Sequence, residues 1–402
     1  MLTFDTFDYF LNLFSVVVLA VPAFYLLPWE KARELLLTLV GAYLLYLIAP
    51  RLLLFYLVFW AVVALLDRIV AKAAETRLGL ASLLLSIAAL LGLLVAWRLA
   101  EPWFVVNFNL VFNDMLRPLS TRVYEIDLSR NIITPIGMSL AAFRAIDLLV
   151  TSNLGLQRDR SLRKTYFIGL FPPIQIVGPV AQASELKIAL NRPQIDDFRA
   201  ALHGTISGLF KVLVLAHLTS SAVDVLIYYE NNSVWAIWLE LFIYVLFFYW
   251  NFSGYSDLAI AVSALFGVRL RPNFASPLTT QNPRDFWNSW HISLSNFAQR
   301  NVFVPLGGMR RGNRQFFALF VTMMTIALWH DISIPLVIFG VYHSAGLILH
   351  RVVAERRPPR NGVSLAVIKT TVLFMFYYAI SIPLISLDAS EVLPFYSQLF
   401  GL

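Results

Sequence analysis

No cysteine occurs among the 402 residues. That excludes a disulfide framework, a thiolate nucleophile and a thiolate-bound metal. Charge is scarce as well. Only 14% of residues are Asp, Glu, Lys or Arg, against about a quarter in an ordinary soluble domain. Apolar residues make up 59%, more than a soluble core hides. The composition fits a surface that faces hydrocarbon. Several chemical signatures are also missing. There is no G-x-x-x-x-G-K-[ST] phosphate loop, no G-x-S-x-G elbow and no H-E-x-x-H pair. Gly307-Gly308 reads as a turn. No soluble domain, linker, low-complexity tract or internal repeat interrupts the chain. The net charge is +7. In a chain this apolar, basic loops touching anionic lipid explain that charge before nucleic acid does.

What is present is a series of apolar runs punctuated by charge. They predict spans near 8–28, 35–50, 52–66, 78–98, 132–150, 204–228, 233–251, 315–330, 332–350 and 364–386, with a short one at 254–266. The run from Tyr9 to Leu27 has about 19 residues, enough to cross roughly 30 Å of hydrocarbon. Asp5 and Asp8 precede it and no small-residue cleavage site follows, so a removable signal peptide is not expected. Residues 100–130 read as an extramembrane or partly re-entrant connection. Pro172-Pro173 and Gly178-Pro179 break the stretch after the basic run Arg158 to Lys164 too often for a straight helix. The expected fold is therefore an all-α polytopic membrane protein of about ten or eleven membrane segments, some re-entrant. Basic loops at 29–34, 67–77, 158–164 and 351–360 place those turns in the cytoplasm and the N-terminus outside. The expected location is the cell (inner, cytoplasmic) membrane, crossed many times.

Six histidines are present, and His291, His330 and His343 fall in one polar-to-apolar stretch. From Asn282 to Arg300 the pattern predicts one amphipathic helix. Asn282 suits the cap, Pro283 the first turn and Asp285 the positive end. Trp287, Trp290, Leu294 and Phe297 then recur at helical spacing. By residue type His291 reads as an interfacial side chain facing water or headgroups, or as a catalyst. His330 ends the apolar segment that starts at Phe316. An ionisable group there either marks the water boundary or faces a functional cavity. Asp331 is a poor partner for it, since adjacent helical residues point about 100° apart. His343 reads as a packing or hydrogen-bonding residue, and His350 as interfacial.

Short strings in a fixed order now carry more than their parts. They run Asn251-Phe252-Ser253-Gly254-Tyr255-Ser256-Asp257-Leu258-Ala259-Ile260, Leu265 to Leu270, Asn273-Phe274, Pro277-Leu278, Asp285-Phe286-Trp287 and Trp290-His291-Ile292-Ser293-Leu294-Ser295. Pro305-Leu306-Gly307-Gly308, Leu328-Trp329-His330 and Tyr342-His343 follow, with weaker echoes at 134–139 and 171–179. Over roughly residues 130–350 this order resembles the membrane-bound O-acyltransferase (MBOAT) family. The similar branch is bacterial and includes polysaccharide O-acetyltransferases of the alginate type and D-alanyl transferases of teichoic acid modification. Two positions depart from the family pattern. Asp331 stands where Trp-His-Gly has Gly, and Arg300-Asn301 where Arg-Asp is common.

The resemblance implies a ring of helices around a funnelled core. It divides the chain into N-terminal transmembrane helices (1–130), a catalytic core (131–350) and a basic loop with a last transmembrane helix (351–402). It also implies that His330 and His291 are the catalytic pair. His330 would be the general base, uncharged because buried, and His291 would orient or stabilise the charged centre. Asn288, Asn273, Trp290 and Trp329 are the expected substrate-binding residues. No cofactor or metal is expected to be bound. The co-substrate would be an acyl thioester on coenzyme A or an acyl-carrier protein at the cytoplasmic side. The acceptor would be a hydroxyl of an extracytoplasmic envelope polymer, with a partner protein there, and the acyl group acetyl or D-alanyl. An acyl-histidine relay is an alternative route. A transporter or flippase would explain the spans and broken helices but not the ordered strings. A non-catalytic membrane subunit is the third reading.

Overall fold

The computed structural model describes residues 4–48, 50–93, 137–188, 195–228, 233–310, 312–330, 332–354, 365–387 and 389–401. The connection expected at 100–130 and the substituted position Asp331 lie outside them. Among the described residues every regular element is helical. Four stretches among the described residues are long and apolar enough to cross a membrane: Leu53–Ala73, Ile195–Ala222, Val234–Leu265 and Ile334–Val353. Shorter apolar helices are Leu11–Leu26, Gly79–Leu93 and Thr370–Ile385. A helix satisfies its own backbone polar groups, which hydrocarbon cannot do. The chain folds as two compact units, one of Met1–Gln194 with Ser263–Arg269, the other of Ile195–Val262 with Leu270–Leu402.

The first unit holds α1 (Phe4–Leu26), α2 (Glu30–Ile48), α3 (Pro50–Ala73), α4 (Gly79–Leu93), α5 (Met138–Asn153) and α6 (Leu162–Leu170). Pro50 opens α3, where its missing N–H costs nothing. Gly137 starts α5 in a left-handed conformation, φ 77°, which glycine adopts without steric cost. Arg144 and Asp147 on α5 face inward, each 1% exposed. The Asp147 carboxylate accepts from the Ala183 N–H at 2.7 Å, and the Arg144 guanidinium lies 5.9 Å from the Trp60 ring centre. The Glu34 carboxylate takes both Arg163 and Lys164, the latter at 2.6 Å. Ser152 hydrogen-bonds Asp67. Two of the expected turns are largely helical, 30–34 opening α2 and 67–73 closing α3, and the Glu34 pairs tie the first of them to the basic run at Arg163 and Lys164. The stretch from Phe171 to Ala181 is buried irregular chain with one 3₁₀ turn, Pro172–Ile174, as its prolines and glycine dictate.

In the second unit α7 (Ile195–Phe210) runs through a π turn, Lys211–Ala216, into α8 (His217–Tyr228). The two runs expected at 233–251 and 254–266 are a single 32-residue helix, α9 (Val234–Leu265). Gly254 does not break it but lets α7 approach. A Cβ at 254 would stand 2.9 Å from the Gly208 carbonyl oxygen and 2.7 Å from Val212 Cγ2. An ion pair between Lys211 and Asp257 at 2.6 Å closes the same crossing. Then come α10 (Pro283–Ser289), α11 (Ile292–Ala298), a π turn (Gln299–Phe303), α12 (Asn313–His330), α13 (Ile334–Ala354), α14 (Leu365–Ser381), α15 (Pro383–Ser386) and α16 (Ala389–Phe400). Helix α16 lies beyond the last expected span and buries Val392 and Leu399. Helices α12 and α13 pack against each other, and α13 also packs on α10. The centre of this unit is aromatic: Phe286, Trp290, Phe374 and Tyr378 are buried, with Phe248 and Tyr249 packed on them.

Candidate active site

The single helix expected over 282–300 is broken. Its start is as read: the Asn282 side chain accepts from the Asp285 N–H at 2.9 Å, and Pro283 is the first helical residue. The helix then stops at Ser289. Trp290 is extended (φ −102°, ψ 127°) and His291 is left-handed (φ 43°, ψ 53°) before α11 begins. Two forces make this break. Trp290 drops into the aromatic core, its ring stacked on Phe286 at 5.5 Å and Phe248 at 5.8 Å. The segment Asn273–Ala275 then takes the freed backbone groups. Ile292 N–H donates to the Asn273 carbonyl at 2.9 Å, and Ala275 N–H donates to the Ser289 carbonyl at 2.9 Å.

His291 is buried, 3% exposed. Its Nδ1 lies 3.1 Å from Asn273 Oδ1. The same oxygen accepts from the Ser293 N–H at 3.2 Å and from Ser293 Oγ at 2.8 Å. Asn273 Nδ2 donates to Ser256 Oγ on α9 at 3.0 Å. The imidazole stands edge-on to Phe252 (4.7 Å, 88°) and tilted against Trp329 (6.3 Å, 62°). Trp329 is in turn 4.4 Å from the His330 ring. One indole thus touches both predicted catalytic histidines. Burial pushes the His291 imidazole down to about 3, with His330 acting in the same direction.

The other predicted residues separate. His330 is the last residue of α12 and is exposed, which corrects the expectation that burial keeps it uncharged. Trp290 is a core residue whose ring is stacked on Phe286 and Phe248. Asn273 is 1% exposed and supports His291 instead of opening to a ligand. Asn288 is exposed and lines a cavity of about 590 Å³. That cavity carries Arg284, His350 and Arg351 at one place and reaches Ile292, next to His291, and Ile326, one turn before His330. His343 is buried, with Nε2 3.0 Å from Ser381 Oγ, the packing and hydrogen-bonding role its position implied. Asn301, in the place of the usual Asp, sits in the π turn and donates to the Phe297 carbonyl at 3.0 Å. Sequence reasoning missed Ser293, Ser256 and Phe252, all members of strings it had quoted. Nothing marked them, because their partners lie 17 to 20 residues away or, for Phe252, on another element.

The model of the MBOAT, membrane-bound O-acyltransferase family, matches residues 169–385. A probable alginate O-acetylase AlgI of Pseudomonas fluorescens is 29% identical over 236 residues, 58% of this chain and 48% of that protein. A peptidoglycan O-acetyltransferase of Helicobacter pylori is 32% identical over 197 residues, 46% of this chain and 36% of that protein. A teichoic acid D-alanyltransferase of Bacillus subtilis is 27% identical over 233 residues, 53% of this chain and 58% of that protein. The chain spans about half the length of the relatives it matches. Both histidines, Asn273 and the cavity lie within the matched segment. With its apolar helices and this match over more than half its length, the chain is a membrane protein and belongs to the membrane-bound O-acyltransferase family.

Proposed function

We propose that this protein is a membrane-embedded O-acyltransferase that moves a small acyl group, acetyl or D-alanyl, from a thioester to a hydroxyl of an envelope polymer. The observation that carries the reading is the convergence of His291 and His330 on one indole, Trp329, inside the segment matched by the family. In the reaction His330 takes the hydroxyl proton as the oxygen attacks the acyl carbon. The new C–O bond forms, the C–S bond breaks, and the departing thiolate takes the proton from His330. General-base catalysis of this kind contributes about 10²–10⁴-fold. His291 holds the reacting groups from the buried side.

The donor is presented by coenzyme A or an acyl-carrier protein and needs no bound metal or nucleotide. Its pantetheine arm fits the cavity beside Asn288, where Arg284, His350 and Arg351 suit a phosphate. Arg351 of this cavity opens the basic loop at 351–360, which favours a cytoplasmic donor side. On the far side the partners are the glycan polymer and a protein that handles it, with no nucleic acid. We further propose a multi-pass protein of the cytoplasmic membrane, with ten or eleven segments ringing a central funnel, divided at 130 and 350. The relatives' names support an envelope polymer as acceptor: alginate, peptidoglycan and teichoic acid.

The test is acyl incorporation into envelope polysaccharide by the parent and by His330→Ala at matched membrane abundance. Mild base releases the acyl group for identification by mass. Label that appears with the parent and vanishes with the variant supports the reading. Normal transfer by His330→Ala removes His330 as the base, and no transfer by the parent with partners present favours transport or scaffolding.

A further inference from the structure

We infer that Asn273 is a positioning residue that fixes His291 as its Nδ1–H tautomer, so that the buried Nε2 is a hydrogen-bond and proton acceptor. Its part in acyl transfer rests on the function proposed above, but the tautomer itself does not. The argument begins at a backbone group whose chemistry is not open to choice. The Ser293 N–H can only donate, and it points at Asn273 Oδ1 at 3.2 Å. Turning the amide over would set its NH₂ against that N–H, two donors face to face. The Asn273 side chain is therefore oriented with its oxygen toward Ser293 and His291 and its NH₂ toward Ser256 Oγ, 3.0 Å away.

With Oδ1 an acceptor, the His291 nitrogen 3.1 Å from it must carry the proton. A bare Nδ1 there would oppose two lone pairs. In the neutral ring Nε2 then holds the lone pair. Nε2 is buried and meets no hydrogen-bond partner among the described residues. A buried acceptor left open is costly, and the left-handed backbone at 291, φ 43°, adds strain. Both costs fall on the residue whose ring is clamped between Phe252 and Trp329. Such strain concentrates where a site is built for a ligand. The group that satisfies Nε2 must be a donor, and a polyhydroxyl acceptor offers hydroxyls besides the one whose proton goes to His330.

The groups facing the ring are Asn273, Ser293, whose Oγ lies 3.5 Å from Nδ1 but donates to Asn273 Oδ1, Phe252 from α9, and Trp329 and His330 from α12. His330 is the titratable one among them. An acceptor at Nε2 explains why a neutral Asn stands behind Nδ1. A carboxylate there would keep the tautomer but draw a proton onto the ring.

Nitrogen-15 spectra of the full-length, histidine-labelled chain in micelles test the assignment, with His291→Gln identifying the resonance. The expected result is a protonated Nδ1 and a bare Nε2 at neutral pH. Asn273→Leu, of similar volume, removes the acceptor. It should populate the Nε2–H form and lower kcat for acyl transfer by about 10² or more, with little change in KM for the thioester. Asn273→Asp should keep the Nδ1–H form, restore most of kcat and raise the pH at which His291 becomes imidazolium. The acidic limb of the rate profile moves up with it, because a protonated Nε2 accepts nothing. A parent ring protonated at Nε2, or an unchanged tautomer in Asn273→Leu, overturns the inference. If the Leu variant does not fold, the parent spectrum and the His291 titration in Asn273→Asp decide it, and an unmoved titration overturns it. Absence of acyl transfer in every chain would defeat the proposed function while leaving the tautomer readout to decide this inference.

Discussion

At an ordinary helical position, replacing alanine by glycine destabilises a protein by roughly 0.5–1 kcal/mol. At position 291 the order should invert. His291→Ala and His291→Gly both delete the imidazole, its bond to Asn273 and its contacts with Phe252 and Trp329. They differ by one Cβ on a backbone at φ 43°. A Cβ in the left-handed region costs about 1–2 kcal/mol. Glycine gives back part of that gain through its freer unfolded chain, about 0.4–1 kcal/mol. The net expectation is that His291→Gly is the more stable of the two by about 0.5–1 kcal/mol. The assay is thermal unfolding in micelles at one scan rate, followed by tryptophan fluorescence, with acyl transfer measured on the same samples. Both variants should lose transfer. A more stable His291→Ala would refute the strained break at 290–291, and with it the account of how the ring is aimed.

Three other outcomes follow from the packing. Trp290→Ala should cost about 3–5 kcal/mol, because the ring is 6% exposed and stacked on two phenyl groups, whereas Trp290→Phe should keep most transfer with an unchanged donor KM; thermal unfolding and steady-state kinetics check both. Glu34→Ala should destabilise by about 3–5 kcal/mol, since it strands Lys164, whose side chain is only 11% exposed; melting with Lys164→Met added back should recover part of the loss. Charge reversal at Arg284 and Arg351 should raise the thioester KM by roughly tenfold at unchanged kcat, an effect that should shrink in high salt.

Much of the fold could be read from hydrophobic runs, because a segment that must hide its backbone polar groups from lipid has little choice but helix. Charge marked the start of α2, and Asn282-Pro283 marked the start of α10, whereas α3 runs past Asp67 and Arg68 to Ala73 instead of stopping at 66. The errors fall where a residue's job depends on a distant partner. Gly254 looked like a break between two spans, yet it sits inside α9 and serves the crossing with Gly208. Trp290 looked like one of a helical stripe, but its extended backbone sends it into the aromatic core.

The site shows the same division more sharply. Ordered strings brought out both histidines, since their residue types and order survive without any knowledge of geometry. The backbone state of His291 did not show, because histidine can enter the left-handed region but gives no sign that it has. What forces it there is Asn273, 18 residues earlier, whose carbonyl takes Ile292 N–H while its amide takes Ser293 and the ring. Periodicity saw Trp287, Trp290, Leu294 and Phe297 as one face and so predicted one helix. A continuous helix would turn Trp290 away from its slot and carry Nδ1 away from Asn273. The loss of those contacts outweighs the backbone hydrogen bonds a straight helix would regain, and the break is therefore the state the packing selects.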